Sequence, residues 1–171
     1  KRNISEVGLV ITLRNSVGTI LLRKTEIIDN AKAFSINLEI LLKEINFDTE
    51  QLFLGSIETE FNTTRDMVYP YPALVLEYHN EQFNTCVHTI GRIYNDFDDM
   101  KENSEFLVPE TGFDIHETSD LNSFLSFVNG PIHNSDGYVE YTVTNSKSEK
   151  FNGNFHLGEI LPFETKLLFF K

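Results

Sequence analysis

The chain of 171 residues carries 14 Lys and Arg against 26 Asp and Glu, a net charge of −12 at pH 7, with 40% hydrophobic and 23% charged residues. That is enough apolar material for a core and too little charge bias for disorder. So acidic a surface repels phosphate backbones and anionic lipid, which sets nucleic acid aside as a partner, and no apolar run reaches the roughly 20 residues that span a bilayer, so no membrane span is expected.

Strand patterns dominate. Leu9, Ile11 and Leu13 interleave with Val10, Thr12 and Arg14, a turn follows at Asn15-Ser16-Val17-Gly18, and a second apolar run covers Ile20 to Leu22. This predicts a hairpin. Leu38, Leu41, Leu42 and Ile45 then recur at helical offsets behind Asn37, a residue suited to cap a first turn. They predict one short amphipathic helix closing the end of a sandwich. Ile57, Thr59 and Phe61 alternate with Glu58 and Glu60. Further strands are expected at Ala73 to His79, Thr85 to Ile93, Phe124 to Val128, Gly137 to Thr144, Phe151 to Leu157 and Thr165 to Phe170. Short strands with Gly, Asn and Pro at the turns, and no alternation with helices, indicate a mainly β fold of antiparallel, immunoglobulin-like β-sandwiches with one short helix. The Cys and Trp hallmarks of true immunoglobulin domains are absent.

The most polar stretch, around Asn95 to Glu105, separates two halves. The expected organisation is a β-sandwich domain with the helix over 1–95, an acidic connector over 96–120, and a second sandwich module over 121–171, whole or cut short. Thr12-Leu13-Arg14-Asn15-Ser16 resembles Thr142-Val143-Thr144-Asn145-Ser146, an offset that hints at a tandem repeat. The chain starts without Met and ends within the apolar run Leu167 to Phe170, so a longer natural protein is expected, at the cell surface, extracellular or on a virion.

Three groups of residues carry candidate chemistry. Met67-Val68-Tyr69-Pro70-Tyr71-Pro72 sets two tyrosines beside rigid prolines. With Arg65, the rings of Tyr69 and Tyr71 would stack on a sugar or dock a protein, although aromatic residues beside strands also serve as packing. Between the strands at 74–79 and 84–90, a four-residue loop pairs His79 with Asn84. Antiparallel partners share a constant index sum, so Glu77 then faces Cys86 and Val75 faces His88. Glu77, His79, Cys86 and His88 would line one side with donor types that zinc accepts. The same residues also read as an outward polar face opposite an apolar one made of Leu74, Leu76, Tyr78 and Val87. In the connector, Asp96, Asp98 and Asp99 offer hard oxygens of the kind calcium requires, without the spacing of an EF-hand.

Cys86 is the sole cysteine, which rules out an intrachain disulfide and a Cys-rich zinc motif. Neither a phosphate-binding glycine loop, a Gly-x-Ser-x-Gly turn nor a His-Glu-x-x-His helix is present. The expected function is therefore a non-catalytic binding or structural module that recognises carbohydrate or protein. The alternative is a metal-dependent enzyme or accessory protein built on the His/Cys/Glu face.

Overall fold

The computed structural model describes residues 7–28, 35–63, 73–79, 84–90, 114–115 and 123–170. They form a mainly β structure with one helix. The strands are β1 (Val7–Asn15), β2 (Ile20–Ile28), β3 (Gly55–Thr63), β4 (Ala73–His79), β5 (Asn84–Ile90), β6 (Phe124–Val128), β7 (Asn134–Thr144), β8 (Lys150–Ile160) and β9 (Thr165–Phe169), and the helix is α1 (Leu38–Glu44). Among the described residues, β2, β1 and β3 make a sheet in that order, and β4–β5, β6–β9 and β7–β8 make two-stranded pairs. β1–β2, β4–β5, β6–β9 and β7–β8 all pair antiparallel. Gly8 lies against Asn62 and Gly55 against Arg14, so β3 also runs antiparallel to β1.

The chain divides into two compact units, one of Lys1–Asn62 with Phe106–Lys171 and the other of Thr63–Glu105. In the first unit, β1 is the middle strand and its odd-numbered side chains form the core. Leu9, Ile11 and Leu13 pack with Leu41 and Leu42 of the helix, and Leu22, Ile36, Ile45, Phe47, Phe53 and Ile57 close around them. Each such aliphatic burial is worth about 1.5–3 kcal/mol. The helix thus covers a sheet face and does not close an end. It starts where the sequence predicts, because Asn37 Oδ1 accepts from the backbone N–H of Glu39 at 2.8 Å and of Ile40 at 3.4 Å.

The even-numbered side of β1 is covered as well, since Val10 is buried too. Thr12 is fully buried and Arg14 is only 5% exposed. The Arg14 guanidinium lies 4.1 Å from the Phe163 ring centre, and its Nη1 donates to Glu58 Oε2 at 2.6 Å. A middle strand can be covered on both faces, and the long-range partners that make room for a cation there are invisible to local periodicity.

Two hairpins close by the same turn. At β1–β2, the backbone N–H of Asn15 bonds Thr19 O and that of Gly18 bonds Asn15 O, and Asn15 Oδ1 accepts from Val17 and Thr19. At β7–β8, Asn145 N–H bonds Glu149 O and Ser148 N–H bonds Asn145 O, while Asn145 Oδ1 accepts from Lys147 and Glu149. Gly18 and Ser148 both occupy the left-handed region, at φ of +84° and +63°. The similarity at residues 12–16 and 142–146 thus corresponds to a shared turn chemistry, in which an asparagine side chain caps the N–H groups two and four residues on.

Candidate functional site

The longest hairpin, β7–β8, presents two unlike faces. Along β7, Val139, Tyr141 and Val143 are half-buried while Tyr138, Glu140, Thr142 and Thr144 are exposed, as the two-residue period of a strand requires. On the inner side, Phe170 meets Tyr141 and Phe155 with ring centres 5.6 and 5.2 Å away, and Tyr141 lies 5.1 Å from Phe155. Gly153 stands opposite Tyr141 and leaves room for its ring, which a Cβ at that position would strike. This aromatic packing holds the ribbon and fixes which side looks outward.

On the outer side, Tyr138 stands opposite His156, Glu140 opposite Asn154, Thr142 opposite Asn152 and Thr144 opposite Lys150. Two internal pairs order the surface. His156 Nε2 lies 2.7 Å from Asp136 Oδ1, and Thr142 Oγ1 donates to Asn152 Oδ1 at 2.8 Å. Between these pairs sit Tyr138, 64% exposed, and the facing Glu140 and Asn154, both exposed. Beside the His156 imidazole, the face therefore combines the accessible phenol ring of Tyr138 with a carboxylate acceptor and an amide able to donate and accept. At its base the register shifts around Gly137 and Gly158 adopts φ +64°. There Lys166 Nζ donates to the carbonyls of Leu157 at 2.8 Å and Glu159 at 3.2 Å, which anchors β8 to β9.

In the second unit, β4 and β5 pair with the register that the four-residue loop predicts: His79 opposite Asn84, Glu77 opposite Cys86 and Val75 opposite His88. Glu77, His79 and Cys86 are exposed, and the Glu77 carboxylate accepts from Asn84 Nδ2 at 2.8 Å. The His88 side chain lies outside the described residues. Among the described residues, no group of three or more His, Cys, Asp or Glu is gathered so as to hold a metal ion. The other face is not the buried one that its apolar sequence suggests, since Tyr78 is 55% and Val87 51% exposed.

Arg65, Tyr69 and Tyr71 lie outside the described residues, as do Asp96, Asp98 and Asp99. The outward face of β7–β8 is absent from the residues singled out by sequence. The signal for it was there, in the alternation of Val139, Tyr141 and Val143 with Tyr138, Glu140 and Thr142, but alternation alone does not say which half of a strand finds cover. Among the described residues, no helix is long and apolar enough to cross a membrane. Comparison with protein-family models, with curated proteins and with solved structures gave no match to this chain.

Proposed function

We propose that the chain is a non-catalytic recognition module of immunoglobulin-like β-sandwich character in a surface- or virion-associated protein, which binds a carbohydrate or protein partner through the outward face of β7–β8. The observation that carries this reading is Tyr138, held 64% exposed on a face whose flanking polar groups are already ordered by the His156–Asp136 and Thr142–Asn152 pairs. A ring presented on a rigid ribbon offers wide apolar contact at small entropic cost. Arg65, Tyr69 and Tyr71 belong to the same proposal as a second contact set. The test is a screen of the full chain on a glycan array and in a pull-down. Capture that Tyr138→Ala removes, at unchanged melting temperature, supports the reading; capture indifferent to that substitution overturns it.

A second reading rests on the β4–β5 register, which sets Glu77 directly across from Cys86 with His79 two residues along. With His88 these would hold zinc in a metal-dependent accessory protein or enzyme. Calcium at Asp96, Asp98 and Asp99 is the corresponding proposal for the acidic stretch. Elemental analysis of the purified chain, together with melting curves in chelator, decides both. Absence of stoichiometric metal and an unchanged melting temperature eliminate them.

A further inference from the structure

We propose that the ligand of the β7–β8 face is a neutral glycan, stacked on Tyr138 and hydrogen-bonded by Glu140 and Asn154; this rests on the recognition reading above and names its ligand class. Sugar hydroxyls both donate and accept, and their C–H faces are apolar. They are matched by a ring beside groups that accept and donate in turn. On this face Glu140 only accepts, and the Asn154 amide does both. The two stand directly opposite each other across the strands, and both are exposed one register step from Tyr138.

Charge selects among glycans. The Glu140 carboxylate lies in the middle of the face, and Asp136 already holds His156, so a sialic acid or sulfate placed over Tyr138 would meet negative charge in a chain of net charge −12. Lys150, the lysine of this face, stands opposite Thr144 at the far end of the ribbon, six residues along β7 from Tyr138. That is about 20 Å at the rise of a strand and beyond a Debye length in physiological salt. A protein partner would draw its affinity from several desolvated apolar anchors; this face offers one large apolar side chain, Tyr138, among polar groups, which favours the sugar.

The experiment uses the full chain on an array of neutral hexose and N-acetylhexosamine oligosaccharides beside sialylated and sulfated ones, with affinities measured by titration calorimetry. Neutral glycans are expected to bind. Tyr138→Ala should weaken them about tenfold, the worth of stacking on one ring, at unchanged melting temperature because the side chain is exposed. Glu140→Gln should weaken neutral glycans less and admit anionic ones. No neutral glycan binding, or binding that Tyr138→Ala leaves intact, overturns the inference. A protein captured by the wild-type chain and lost with Tyr138→Ala would overturn the sugar while sparing the recognition reading, whereas no Tyr138-dependent ligand of either kind would sink both.

Discussion

Arg14 on the middle strand donates Nη1 to Glu58 Oε2 of the neighbouring strand at 2.6 Å, with the arginine side chain 6% and the glutamate 30% exposed. The same guanidinium lies against Phe163, so one cation ties β1, β3 and the turn that leads into β9. Removing its anion while keeping the cation should be the worst change at this site. Glu58→Gln is expected to cost about 2–3 kcal/mol, below the full penalty for a buried pair because Glu58 is partly solvated. Arg14→Met combined with Glu58→Gln should cost less than the sum of the two single changes, since Arg14 Nε has no hydrogen-bond partner even now. A double-mutant cycle in denaturant measures this coupling.

Thr12 sits two residues before Arg14, fully buried, and its Oγ1 has no hydrogen-bond partner. A hydroxyl taken out of water without a partner costs about 1–3 kcal/mol. Valine has nearly the same shape and no such debt. Thr12→Val should therefore raise stability by about 1 kcal/mol, read as a higher denaturant midpoint with an unchanged slope. A lower midpoint would show that the hydroxyl is satisfied in solution.

The shared hairpin turn makes opposite predictions at its two copies. Ser148 carries a side chain at φ +63°, where an L-residue costs about 1 kcal/mol, so Ser148→Gly should stabilise by roughly 0.5–1 kcal/mol. At the equivalent position, a Cβ on Gly18 would run into the Pro162 carbonyl oxygen. Gly18→Ser should destabilise by about 2 kcal/mol or more, through the strained φ and the displaced turn together. Thermal melts of the two variants, moving in opposite directions, check the equivalence.

Lys24 Nζ reaches Glu44 at the end of the helix at 2.7 Å and Glu26 at 3.2 Å. The hydrogen bond to Glu44 holds its ammonium group above the usual lysine value of 10.5. A raised folded value gives stability that is complete below the ordinary lysine range and fades as pH rises through the folded one. Lys24→Met should flatten the alkaline side of the stability profile, as followed by melting temperature against pH.

Local chemistry made part of this architecture legible. The loop of four residues between β4 and β5 set that register, because an antiparallel pair has one index sum. Asn37 announced the helix, and the asparagines at 15 and 145 announced their turns. What stayed hidden depends on distant residues. Whether Arg14 is exposed is decided by Glu58 and Phe163, and whether Tyr138 or Tyr141 faces water is decided by Phe170, whose ring covers the Tyr141 side. A strand pattern names two faces, and only the rest of the chain says which is covered.

Beneath the proposed recognition face, where the β7–β8 register shifts, Lys166 Nζ donates to two backbone carbonyls of β8, Leu157 O and Glu159 O. Its side chain is 25% exposed, and Glu164 lies 3.6 Å from the ammonium. Lys166→Met keeps most of the aliphatic stem and deletes only the charge-assisted bonds, so it isolates their contribution at about 1.5–3 kcal/mol. Because these bonds fix β8 where Gly158 turns, loosening them should also blur the geometry of His156 and Tyr138 just beyond. The expected signature is a lower melting temperature together with weaker binding of whatever ligand Tyr138 holds. Lys166→Arg should restore little, since a planar fork directs its donors differently from an ammonium group. A variant that loses stability while binding as tightly as wild type would show that the bulge and the recognition face are independent.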